Sequence, residues 1–127
     1  MLIYDISQCF SNLVTAKTVP TIYPVVNGNI YIAERKAQNV TCAAYGARGE
    51  DIRYLQWYKE INGNLYPVDE SKVIAAKEQT KDFQYIESST LVFDNFSSSD
   101  EGKYVCRRQI GSRKPTQESV QVLLSKP

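Results

Sequence analysis

The stretch from Asp100 to Cys106, reading Asp-Glu-Gly-Lys-Tyr-Val-Cys, constrains this chain more than any other. A second cysteine, Cys42, and the single tryptophan, Trp57, stand upstream of it. Gly102, between Asp100 and Tyr104, permits a tight turn before a strand that alternates Tyr104 and Cys106 with Lys103 and Val105. Just upstream, Leu91 and Phe93 alternate on a strand and Phe96 follows it, all three expected to face a core. Ser97, Ser98 and Ser99 supply a polar turn between the two strands.

Cysteine, tryptophan, then Asp-x-Gly-x-Tyr-x-Cys resembles the immunoglobulin superfamily, most nearly its I and V sets, over about residues 22 to 125. The resemblance implies an all-β, immunoglobulin-like antiparallel sandwich. It implies a disulfide from Cys42 to Cys106 between two packed sheets, with Trp57 against it. It implies a core signature of Trp57, Leu91, Asp100, Gly102 and Tyr104, the tyrosine hydroxyl folding back at a sheet corner. Closing a loop whose ends are 64 positions apart is worth about 4 kcal/mol in chain entropy. The cysteine separation and the long interval from Trp57 to Leu91 leave room for an additional edge strand, as in V-type domains. Lys72, Lys77 or Lys81 is expected to pair with Asp100, as a basic residue often does in related domains. The last strand, with Val120, Val122 and Leu124 inward, lacks the Gly-x-Gly bulge of antigen-receptor variable domains, which argues against a paired chain of that kind.

The chain has 127 residues, the size of one domain with a substantial core, and a net charge of +1. That balance gives no global field to attract nucleic acid or an anionic membrane. No apolar run is long enough to span a bilayer, and residues 1 to 20 lack the pattern of a signal peptide, so the sequence reads as a piece of a longer protein. Residues 1–20 read as an N-terminal extension or linker. Leu2/Ile3, Ile6, Cys9/Phe10 and Leu13/Val14 there recur at helical spacing. Residues 21–127 read as the sandwich domain. Cys9 is left over from the implied pairing, which points to a partner elsewhere, an intermolecular bridge or a free thiol.

Period-two alternation assigns faces along the chain. Pro20 and Pro24 punctuate a first edge strand, and Ile30 and Ile32 face inward on the next. Val40, Cys42 and Ala44 share one face of a strand, and Asn39, Thr41 and Ala43 share the other. Asn62-Gly63 is a hairpin turn signal, with Leu65 to Val68 continuing as the next edge. Leu55 and Trp57 point inward, so Tyr54, Gln56 and Tyr58 point outward. Asn39-Val40-Thr41 and Asn95-Phe96-Ser97 are glycosylation sequons, with Asn39 and Asn95 expected to be accessible. Arg107 to Pro115 reads as a hairpin loop with four positive charges.

No catalytic constellation is present. The chain contains no histidine, the commonest general base and nitrogen ligand, and no phosphate loop, nucleophile elbow or calcium loop. No catalytic residue, metal site or cofactor is expected. Recognition falls instead to two surfaces. One is an outward sheet face bearing Tyr54, Gln56 and Tyr58 beside Lys103, Val105 and Arg107, residue types that serve as interface anchors. The other is the basic loop with Arg113 and Lys114, suited to an acidic partner or a sulfated glycan. The reading is a non-catalytic recognition module of a cell-surface receptor or adhesion protein, extracellular, binding a protein ligand or a second copy of itself. Two alternatives stand beside it: a structural domain of a giant intracellular muscle protein with reduced core thiols, and a domain of a secreted matrix or antagonist protein.

Overall fold

Alternating apolar and polar residues, rich in β-branched and aromatic types and punctuated by Gly, Pro and Asn, favour short strands over helices. The structure, a computed structural model, describes residues 19–25, 28–46, 55–79, 85–109 and 114–125. The described residues form nine strands: β1 (Thr21–Tyr23), β2 (Asn29–Ile32), β3 (Gln38–Gly46), β4 (Leu55–Ile61), β5 (Asn64–Pro67), β6 (Val73–Gln79), β7 (Tyr85–Phe93), β8 (Gly102–Arg108) and β9 (Thr116–Leu124). They form an all-β sandwich of a four-stranded sheet, β1-β3-β7-β6, and a five-stranded sheet, β2-β9-β8-β4-β5. The pairs are antiparallel except β2 with β9, which run parallel. Residues 1–18, which include Cys9 and the stripe from Leu2 to Val14, lie outside the described residues.

The interior is built in three layers by strand register. In the middle, Cys42 on β3 and Cys106 on β8 form the disulfide, and Trp57, opposite Cys106, donates its indole N–H to the Ser89 carbonyl at 2.9 Å. Below the bridge lie Val40, Leu91, Phe93, Phe96 and Tyr104, all buried. Above it lie Ala44, Leu55, Glu87 and Arg108, also buried. Val120 and Val122 complete the core from β9, with Leu124 half-buried against it. A disulfide of this kind belongs to proteins outside the reducing cytoplasm, and among the described residues no helix is long and apolar enough to cross a membrane.

Tyr104 closes the corner around Asp100. Tyr104 donates its hydroxyl to the Asp100 carbonyl at 2.6 Å, and burial pushes its pKa well above the ordinary range. Phe93 meets the rings of Phe96 and Tyr104 edge-on, at 5.2 and 5.6 Å between centroids. Gly102 has φ +151, and a Cβ there would lie 2.9 Å from the Lys59 side chain, so the position admits only glycine without rearrangement. Asn62 and Gly63 both take positive φ, as their hairpin requires.

Two expectations are corrected, and a third is narrowed. No basic residue forms an ion pair with Asp100 among the described residues. Its carboxylate accepts from the Ser97 N–H at 2.9 Å and sits within hydrogen-bond range of the Ser97 hydroxyl. Lys77 instead lies opposite Glu87 on β6, and Lys81 is outside the described residues. Among the described residues, Lys59 reaches the corner: its ammonium donates to the Ser99 carbonyl at 2.9 Å and sits 5.5 Å from the Tyr104 ring centroid. The additional edge strand is not formed, because after β5 the chain passes through a 3-10 turn, Glu70–Lys72, and joins the other sheet as β6. Arg107 and Arg108 belong to β8 rather than to a loop, and Arg108 points into the sandwich. Ala43 keeps the face it was assigned on β3, opposite Ser88, and is covered there between β1 and β7.

Candidate functional site

The outward face of the five-stranded sheet is arranged in three cross-strand rows. Gln56, Arg107 and Gln117 form the first, Tyr58, Val105 and Ser119 the second, and Glu60, Lys103 and Gln121 the third. The rows arise because β8 lies between β4 and β9, and side chains directly opposite on neighbouring strands sit close enough to touch.

Arg107 is held from two sides. Its Nε and Nη2 donate to the Gln117 side-chain oxygen at 3.0 and 2.8 Å, while its guanidinium carbon lies 5.7 Å from the Tyr58 ring centroid. This is the stacked, forked geometry that arginine adopts and lysine cannot. Lys103 pairs with Glu60 at 3.6 Å, both partly exposed, a contact of small energetic weight. Val105 is buried beneath these side chains. The expected positive margin at Lys103 and Arg107 is therefore muted: one cation has an acid beside it, and the other is fixed over an aromatic ring.

Gln56 is exposed, and Tyr58, Lys103 and Arg107 are half-buried on this one face. Tyr54 and Arg113 lie outside the described residues. Lys114 is exposed just before β9, beyond the three rows. Glu60 and Gln117 join the site although sequence reasoning did not select them. Period two from Tyr58 puts Glu60 on the face, but Gln117 is brought to Arg107 only by the β8–β9 register.

The opposite sheet presents a different outer face. Tyr23, Thr41 and Thr90, Ile74 and Ala76, and Val92 point outward by register, and the Thr41 and Thr90 hydroxyls hydrogen-bond at 3.1 Å. Asn39 is exposed on this face, and Asn95 is exposed in the turn after β7.

Glu87, the one buried carboxylate among the described residues, accepts from the Leu55 N–H at 3.3 Å, and burial pushes its pKa up against the weaker pull of Arg108 and then Lys77. It lies inside the sandwich, away from the sheet face. Among the described residues, no group of three His, Cys, Asp or Glu side chains is placed to hold a metal ion.

No protein-family model matches the sequence, and no curated protein matches it. Among solved structures, 278 chains match. One comes from a structure described as the structural basis of T cell specificity and activation by the bacterial superantigen toxic shock syndrome toxin-1. The match has 16% identity and a TM-score of 0.58, and covers 84% of this chain and 98% of that one. At that identity the likeness is one of fold.

Proposed function

We propose that the chain is an immunoglobulin-like domain of the I/V type, serving as a non-catalytic extracellular recognition module. It binds a protein partner or a second copy of itself through the outward face of the five-stranded sheet. The family reading is supported by the bridge with Trp57 against it, the Tyr104–Asp100 corner and the parallel pairing of β2 with β9. The disulfide between Cys42 and Cys106 favours this reading over an intracellular structural domain with reduced thiols.

The observation that carries the functional reading is the Tyr58–Arg107–Gln117 cluster. Tyrosine and arginine bury much area while keeping polar ends, and their ordering in the free domain lowers the entropy lost on binding. The Glu60–Lys103 pair sits beside it as a rim contact that affects encounter more than affinity.

The test uses fluorescent tetramers of the domain applied to a panel of cells, with sedimentation of the domain alone as the homophilic arm. Tyr58→Ala and Arg107→Ala are each expected to weaken tetramer binding or self-association by roughly 30-fold, about 2 kcal/mol. Unchanged binding in both variants would remove this face as the site. Loss of binding only on blocking with heparin would assign recognition to a sulfated glycan instead.

A further inference from the structure

A second feature lies on a different side of the molecule. β6 is the outer strand of its sheet, pairing among the described strands with β7 alone. It is seven residues long, contains no proline, and is exposed from Ile74 to Glu78, with Ile74 at 60%. A long, exposed, proline-free edge offers unpaired main-chain groups to another strand. The neighbouring sheet does not close over it, because β5 spans only four residues before the chain turns away.

Between β6 and β4 the sandwich opens into a cleft of about 400 Å³. Leu55, Trp57 and Val68 form one wall, Val73 and Ala75 the other, and Ser89 lines it from within. The Ser89 hydroxyl is buried and has no hydrogen-bond partner. Buried polar groups are nearly always partnered, so an orphan beside a cleft points to something that enters it. A cavity of about 150 Å³ admits benzene, so this cleft has room for an indole or a phenol.

Edge and cleft are continuous, since Val73 and Ala75 belong to both. We propose that they take an extended peptide strand from another protein, pairing with β6 through its main chain and inserting one large aromatic side chain against Trp57. Tyrosine or tryptophan would also bring a donor to the Ser89 hydroxyl. This is strand addition, in which the backbone supplies affinity and a pocket for alternate side chains supplies specificity. A second copy of β6 fits less well, because its inward residues opposite the cleft would be Ala75, too small to fill it, or Lys77, charged. The incoming outward side chains would continue the row of Ile74 and Ala76, so small or β-branched residues suit those positions.

The probe is an end-capped, fluorescein-labelled heptapeptide, Thr-Val-Thr-Trp-Thr-Val-Thr, followed by fluorescence anisotropy against the intact protein. Saturable binding is expected, with slowed amide exchange across residues 73–79. Replacing the peptide's tryptophan by glycine is expected to weaken binding by about tenfold or more, as is Ala75→Arg, which puts a charged side chain at the cleft. Ala75 is exposed, and a thermal melt checks that the variant folds. Ala75→Trp, which fills the cleft from within the chain, provides a second variant with the same expected loss. Tyr58→Ala is expected to leave this binding unchanged, which separates the site from the sheet face. The proposal is overturned by no saturation below about 1 mM, by equal binding of the glycine peptide, or by unaffected binding in the Ala75 variants. It is also overturned if indole alone competes as tightly as the peptide, which would make the cleft a small-molecule site. Self-association through β6 would assign the edge to a second copy.

Discussion

The two halves of the core, below and above the Cys42–Cys106 bridge, are built from the same strands and the same inward alternation, yet they differ in chemistry. Below it, Phe93, Phe96 and Tyr104 interlock edge-on, and the tyrosine hydroxyl is satisfied at 2.6 Å. Above it, the inward positions of β7 and β8 carry Glu87 and Arg108, while at the level of the bridge a cleft beside Trp57 and Ser89 opens toward β6. A close-packed aromatic layer has little room to relax when an atom is removed. A layer holding buried ionisable groups, with an orphan hydroxyl beside it at the bridge, already carries unrecovered desolvation. The lower half is therefore expected to contribute more stability per buried side chain than the upper.

The sharpest way to break that contrast is Phe96→Ala. Phe96 is fully buried, and its loss is expected to lower unfolding free energy by about 3–5 kcal/mol in denaturant titration. A loss below about 1 kcal/mol would mean the lower layer is not close-packed.

Tyr104→Phe keeps the ring and removes only the hydroxyl that reaches the Asp100 carbonyl. It is expected to cost about 1–2 kcal/mol, read as a lower denaturation midpoint at unchanged slope. No change would show that water replaces the tyrosine at the corner.

Ser89→Ala tests the side of the bridge that opens to the cleft. The hydroxyl makes no hydrogen bond, so its removal is expected to change stability by less than about 0.5 kcal/mol or to raise it slightly. A loss comparable to Tyr104→Phe would erase the distinction between the halves.

The smallest effect is a pH dependence. Glu87 has a folded pKa raised above its ordinary value of 4.5, chiefly by burial. The folded protein therefore holds that proton more tightly than the unfolded chain. Its contribution is greatest below pH 4.5 and declines as pH rises through the higher folded value. Asp69 acts oppositely: the Ser71 N–H lowers its pKa below 3.8, so its contribution is present above that value and lost on further acidification. Glu87→Gln is expected to flatten the decline above pH 4.5 and leave the acid limb unchanged. An identical slope in the variant would place the titration elsewhere.

Local chemistry was readable from the residues alone. The inward sets Leu55 and Trp57, Leu91 and Phe93, and Val120 and Val122 follow from a period of two that needs no knowledge of neighbours. The positive φ of Asn62, Gly63 and Gly102 sits where Asn-Gly and Asp-x-Gly-x-Tyr placed turns. The outward positions of Gln56, Tyr58, Lys103 and Arg107 came from the same alternation.

Which side chains meet across strands far apart in sequence depends instead on how the strands pair. Lys59, which the sequence did not single out, reaches the corner because the β4–β8 register sets it opposite Tyr104. Gln117 fixes Arg107 through the β8–β9 register, and the 3-10 turn at Glu70–Lys72 sends the chain to the other sheet where an extra edge strand had room to form. Arg108 reads as a loop cation in sequence, yet two more residues of β8 past Cys106 turn it inward toward the layer of Glu87. Alternation states on which face a residue lies, but the end of a strand and the identity of the neighbour opposite depend on hydrogen-bond register, a property of two segments at once.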